Sequence, residues 1–271
     1  MLLKEPVHHN IYLTLHRMDI VIIGAGNVAH CFGHLLKLHG HQILQVISRS
    51  KEHAVELAES LHSTGTNDLL DINMEADVYL MAVSDSAIPE LNDELRLGKR
   101  FVVHTAGAVP LDAIKKISIN TGVMYPLQSL RKEVRNYPAI PLLLEGANEE
   151  VMRRLRSVAQ SVSPDIREVN SQQRLQLHLA AVLCNNFTNH LIARAKRYCE
   201  GAGLDFSLLQ PIIKETFDRL EKFPPESVQT GPAMRNDEIT MSRHRGLIEN
   251  EEYLKLIYQV MSDSIYDFHN S

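Results

Sequence analysis

A chain of 271 residues is long for a minimal domain and suits one large or two modest ones. Its 44% hydrophobic and 23% charged residues are ordinary for a soluble globular protein, and a net charge of −5 argues against a nucleic-acid partner or an anionic membrane surface. Cys31, Cys184 and Cys199 are widely spaced and odd in number, which suits the reducing cytoplasm and suggests no metal site, and no apolar run approaches the roughly 20 residues that span a bilayer.

Residues 1–17 lack the apolar core and cleavage site of a signal peptide and read as a tail or extension; the alternative is an extra edge strand over Ile11–Leu15. Asp19–Ile23 then reads as a short buried parallel strand. Gly24-Ala25-Gly26-Asn27-Val28-Ala29 follows and fits the G-x-G-x-x-A pattern. Gly24 allows the tight turn, Gly26 lets a pyrophosphate approach the backbone, and Ala29 lets the next helix pack on the sheet. That helix, expected over His30–Leu38, aims its free N–H groups and positive dipole end at the phosphates. A second strand is expected at Gln42–Ile47. It ends in Ser48-Arg49-Ser50, with no acid to take a ribose 2′-hydroxyl. An arginine flanked by serines suits a 2′-phosphate instead, so the expected cofactor is NADP. The plain reading of Arg49 is a solvated loop residue.

The alternation continues with a helix over Glu52–Leu61 and strands near 63–66, 78–83, 101–103, 123–125, 138–145 and 166–169, with a further helix over 149–162. In open parallel sheets ligands lie at the carboxyl ends of strands. Val83-Ser84-Asp85 and His104-Thr105 stand at two such ends and are expected to meet the cofactor; Pro126 to Ser129 stands at a third. Turn chemistry alone would also place serines, threonines and acids there. Beyond residue 168 strand signals weaken and helices take over. The expected division is an N-terminal extension to 17, a Rossmann-like dinucleotide-binding domain at 18–168, and an all-α domain at 169–271 for substrate binding and dimerisation.

The stretch from Ser171 to Glu200 lacks glycine and proline and reads as one long helix. At about 100° per residue, Leu177, Ala180, Ala181, Cys184, Phe187, Leu191, Ala195, Tyr198 and Cys199 share a face expected to be core. Arg174, His178, Asn185 and Asn189 lie along its rim, with Asn186 beside them. His178 is the first candidate to move a proton, with His104 as its rival, and Asn185 is placed with them. Arg174, Asn186, Asn189 and Arg235 are candidates for substrate binding. A purely structural rim is the plain alternative. Leu175, Leu179, Val182 and Leu183 point elsewhere around the helix, so a second copy is expected to cover it. Helices are also expected over 206–222 and 250–268, with a loop over Gln229–Asp237 that either fixes a carboxylate or caps a turn.

Taken in order, the glycine loop, Ala82-Val83-Ser84-Asp85, Val103 to Gly107, Tyr125 to Gln128, Arg174 to Asn189 and Gln229 to Asp237 resemble a bacterial family of Rossmann-like proteins with a helical C-terminal domain of unknown function. Its members are provisionally assigned as NADP oxidoreductases. The resemblance spans residues 18–271 and extends distantly to pyrroline-5-carboxylate reductase, deazaflavin-dependent NADP reductases and 6-phosphogluconate dehydrogenase-like enzymes. It implies hydride transfer with a small polar substrate held between the two domains, and a homodimer through the helices. The β-hydroxyacid dehydrogenases carry a catalytic lysine four residues before an asparagine on the long helix. Here Ala181 and Val182 stand four before Asn185 and Asn186, so that mechanism does not carry over. A dinucleotide-binding sensor without turnover is the competing reading.

Overall fold

The computed structural model describes residues 17–270 except 135, 136 and 138. The possible strand at Ile11–Leu15 lies outside them. Among the described residues the backbone forms two compact units that divide between 185 and 186.

The first unit is built on an eight-stranded sheet in the order β3-β2-β1-β4-β5-β6-β7-β8. Its strands are β1 (Asp19–Ile23), β2 (Gln42–Ile47), β3 (Thr64–Thr66), β4 (Val78–Met81), β5 (Gly98–His104), β6 (Ser118–Pro126), β7 (Leu142–Gly146) and β8 (Ile166–Glu168). All pairs are parallel except β6 with β7. This is the doubly wound Rossmann-like arrangement, with the strand order reversing between β1 and β4. The central strands are apolar on both faces because helices cover both. Ile20 and Ile22 face one buried cluster with Phe32, Leu57 and Leu155, whereas Val21 and Ile23 face a second with Tyr79, Ile88 and Val102.

Four helices flank the sheet: α1 (Asn27–Leu38), α2 (Lys51–Leu61), α3 (Ile88–Glu94) and α4 (Glu149–Gln160). Their sequences explain their starts. The Ser50 side chain accepts the His53 N–H at 3.2 Å to cap α2, and Asn148 accepts the Val151 N–H at 3.0 Å to cap α4. Strands β5 and β6 are longer than the apolar runs that marked them, because their first residues are polar yet still bonded into the ladder.

The long helix begins at α5 (Ser171–Ala181), capped by a reciprocal Asn170–Gln173 box, widens into a π-helical stretch over Val182–Phe187, and resumes as α6 (Thr188–Gly201). The boundary between the two units falls within the wide stretch. The expected core face is corrected here: Leu177, Ala180, Cys184 and Phe187 are exposed, while Arg174 is the buried residue of α5 and Cys199 that of α6. Amphipathic spacing identifies an apolar face but says nothing of what covers it. The second unit adds α7 (Gln210–Leu220), α8 (Glu238–Leu247) and α9 (Glu252–Asn270). Helix α8 carried no sequence expectation. Asp237 starts it by accepting the Thr240 N–H at 3.1 Å and the Thr240 hydroxyl at 2.7 Å, so the Gln229–Asp237 loop ends in a capped turn.

Gly65 shows how closely the layers pack. A Cβ there would lie 2.8 Å from the backbone carbonyl of Ala54 and from the Val55 Cα, atoms of α2 that cannot turn aside. Gly65→Ala is expected to cost about 1–3 kcal/mol, read as a lower urea midpoint at unchanged slope. An unchanged midpoint would show that α2 is free to shift.

Candidate cofactor and active site

The turn after β1 is dictated by crowding. Gly24 has φ +117°, and a Cβ on it would lie 2.1 Å from the Ala82 carbonyl oxygen at the end of β4. No L side chain fits there. Gly26 is the reverse case: a Cβ would meet nothing within 4 Å, because its face opens onto a cavity. Gly26 also precedes α1 without a side-chain cap, so the first N–H groups of that helix carry no such partner. Glycine carved back from open space and an uncapped helix start fit a pyrophosphate.

The cavity measures about 790 Å³. It is lined by Gly24, Ala25 and Gly26 at one side, by Ser48, Arg49 and His53 beyond β2, by Asn67–Leu70 after β3, and by Val83, Ser84, Glu90 and Glu94 beyond β4. The expected residues Gly24 to Gly26, Ser48, Arg49, Val83 and Ser84 therefore share one wall-to-wall space. His53 joins Arg49 there, and the sequence reading missed it because it lies inside a helix rather than in the loop. Asp68 also lines the cavity, but its carboxylate accepts the Leu70 N–H at 2.8 Å.

Other cofactor candidates are placed differently. The Ser50 hydroxyl is occupied as a helix cap. Thr105 is buried, with its hydroxyl 3.4 Å from the Met81 carbonyl, and Asp85 is exposed beyond β4. The Asn27 side chain accepts the Lys132 N–H at 3.1 Å, tying the loop after β6 to the start of α1. Ala29 is buried and Val28 half-buried in the packing of α1 on the sheet. The cavity walls include none of these six residues.

A second cluster gathers at the carboxyl ends of β5 and β6, with the start of α5. Arg174 is 1% exposed. Its Nη1 donates to the Glu145 carboxylate and its Nη2 donates to the Val109 carbonyl at 2.5 Å, while the Ser171 hydroxyl donates to the same carboxylate at 2.8 Å. The expectation that Arg174 binds substrate is corrected: its fork is spent on the protein's own carboxylate and backbone, which anchor α5 to β7. One turn later, His178 Nδ1 lies 2.8 Å from the Tyr125 hydroxyl, ring edge to face at a centroid distance of 5.7 Å.

His104 is wholly buried. The Ala106 N–H donates to its Nδ1 at 3.2 Å, so the neutral ring carries its hydrogen on Nε2, which has no hydrogen-bond partner. Burial first, and the Arg174 charge second, push its pKa down to about 3, and the Pro110 carbonyl offsets only part of this. A ring with no exposure cannot touch a substrate or nicotinamide, so His104 is set aside as a proton carrier. Asn185 is exposed within the π-helical stretch, off the stripe that ideal α-helical spacing drew. Asn186, Asn189 and Arg235 are exposed in the second unit. Among the described residues no cluster of His, Cys, Asp and Glu could hold a metal, and no helix is long and apolar enough to cross a membrane.

Fold and cavity together define a Rossmann-like protein with a glycine-loop cavity at the strand ends, and comparison with known proteins supplies the family. Residues 19–107 match the family described as NADP oxidoreductase, coenzyme F420-dependent, and residues 140–265 match a domain of unknown function, DUF2520. A Bacteroides fragilis protein provisionally named an NADP oxidoreductase is 33% identical, with a TM-score of 0.87 over 93% of this chain and 99% of its own. This chain belongs to that family of Rossmann-like NADP oxidoreductases with a helical C-terminal half. The fold is shared more widely. Streptococcus pyogenes 1-pyrroline-5-carboxylate reductase is 17% identical, with a TM-score of 0.60 over 93% of this chain and 98% of its own. An imine reductase from Myxococcus stipitatus, solved with NADP+, is 14% identical, with a TM-score of 0.63 over 93% of each chain. No protein with a curated description matches significantly.

Neutral His104 has a measurable consequence. Its folded pKa lies below its unfolded value of 6.5, so the unfolded state binds the extra proton and stability falls as pH drops below about 6.5. Between pH 7 and 5 the loss is about 2 kcal/mol. His104→Gln is expected to flatten urea-measured stability over that window relative to wild type; an equally steep fall would show that His104 is not held neutral.

Proposed function

We propose that the protein is an NADPH-dependent reductase that moves a hydride to the C=O or C=N bond of a small polar substrate. The observation that carries this reading is the cavity that begins at Gly24 and Gly26 and reaches Arg49 and His53, with no carboxylate at the end of β2. Arg49 would hold the 2′-phosphate by charge and by its fork, Ser48 would add a hydroxyl, and the first turn of α1 would take the pyrophosphate. Bound there, the cofactor would supply the hydride. Val83 and Ser84 line the same cavity, and His178, beyond the ends of β5 and β6, would give or take the substrate proton. The reading is supported further by an NADP+ complex among the proteins of this fold. The helical half from 169 onward supplies substrate contacts, for which Asn185, Asn186, Asn189 and Arg235 are the candidates, and joins two copies. Exposed Ile212, Phe217, Phe223, Leu256, Val260 and Phe268 support the second role.

NADPH is expected to bind at least tenfold more tightly than NADH, a charge-assisted contact being worth about 1.5–3 kcal/mol. Arg49→Ala is expected to remove most of that preference. Fluorescence titration of both cofactors decides it, with coenzyme F420 titrated alongside because of the family's description. Equal affinities in the wild type sink the NADP assignment, and tighter F420 binding replaces it.

Light scattering at micromolar concentration is expected to give twice the chain mass of 30.6 kDa. A value near the single-chain mass excludes the homodimer.

A further inference from the structure

Gly107 stands where β5 has just ended, and nothing in the glycine-loop cavity requires it. A Cβ built on it would come within 2.9 Å of three atoms at once: His178 Nδ1 and Cε2 and Cζ of the Tyr125 ring. The glycine is thus the third side of a tight box whose other sides are the phenol from β6 and the imidazole from α5. Inside it the Tyr125 hydroxyl and His178 Nδ1 lie 2.8 Å apart, and the rings meet at 82°.

We propose that Tyr125 is the positioning residue for His178: its hydroxyl holds Nδ1, so the imidazole presents Nε2 as its exchanging nitrogen. This rests on the reading of His178 as the proton carrier. A hydroxyl suits the task because its oxygen can accept a ring N–H. It accepts from Nδ1–H when the ring is neutral, and the free lone pair then sits on Nε2. It accepts from the same Nδ1–H when Nε2 is also protonated and the ring is charged, so the ring keeps one bond and one orientation through a full proton cycle. The proton gained or lost by the ligand passes at Nε2, and solvent restores it.

The surroundings favour the phenol form. Burial raises the Tyr125 pKa, the Asp85 carboxylate raises it further, and Arg174 lowers it in part. Those two charges, the Arg174-bound Glu145 and neutral His104 are the ionisable neighbours that α5, β7 and the ends of β4 and β5 bring to this cluster. Anchored Arg174 holds α5 one turn before His178, so the imidazole reaches Tyr125 from a fixed base.

The test uses full-length protein with ¹⁵N-labelled histidine and reads the His178 ring nitrogens by NMR across pH. Wild type is expected to show the Nδ1–H tautomer with Nε2 as acceptor. Tyr125→Phe keeps the ring but loses the hydroxyl, and the excess of that tautomer is expected to fall about tenfold. Gly107→Ala leaves both partners intact but drives a methyl between them, and is expected to give the same loss. Circular dichroism checks the fold of each variant. A neutral wild-type ring protonated on Nε2, or a tautomer ratio unchanged in folded Tyr125→Phe, overturns the proposal. A separate arm adds NADP+ or adenosine 2′,5′-bisphosphate, which lacks the nicotinamide. His178 signals that move with NADP+ alone support the wider functional reading, and signals that move with neither count against that reading while the tautomer result stands.

Discussion

The contact on which the site depends is the buried bond between Arg174 and Glu145. A guanidinium removed from water is costly unless it is paired, and here a carboxylate and a backbone carbonyl take its two outer nitrogens while its Nε has no partner; a serine hydroxyl donates to the same carboxylate. The pair ties the first turn of α5 to β7, an antiparallel neighbour of β6. Because β6 carries Tyr125 and α5 carries His178, one ion pair sets the spacing of the two groups that meet above it. The same charge helps keep His104 neutral. Losing either partner would leave an unpaired charge in the interior, which is the expensive outcome.

The cofactor end obeys a different rule. There the backbone, rather than charge, makes the site: Gly24 is required by the Ala82 carbonyl and Gly26 by an open cavity. Arg49 brings a positive charge and His53 an imidazole to the end of β2, while Glu90 and Glu94 line the same cavity from α3. Recognition is divided accordingly, with glycines admitting the ligand and a few side chains sorting it.

Much of this was legible in the chain. The strand Asp19–Ile23, the strand Gln42–Ile47 and the glycine loop between them were found residue for residue, since a buried parallel strand and a phosphate turn tolerate few residue types. The 3-2-1-4-5-6 order follows from that alternation. Side-chain commitments were not legible. Arg174 read as a substrate clamp because nothing nearby in sequence marks Glu145, 29 residues away, as its partner. His104 read as reactive because its position at a strand end was visible and its complete burial was not. Tyr125 reads only as the end of a strand and Gly107 only as part of a loop; the collision that links them exists only in three dimensions. The stripe from Arg174 to Asn189 failed for a local reason, the six residues Val182–Phe187 that wind more loosely than an α-helix.

That loose winding also constrains how such a chain can change. A π-helical turn holds one residue more than an α-helical turn at nearly the same length. Relative to an unbroken α-helix, everything after Phe187 is therefore turned by roughly one residue's share, about 100°. Removing a single residue between Val182 and Phe187 would let the helix close into regular winding, and each later side chain would face a new direction without one loop being altered. The segment acts as a phase adjuster: a lineage could re-aim the whole helical half by gaining or losing one residue, and leave the glycine turn and the Arg174 anchor unchanged.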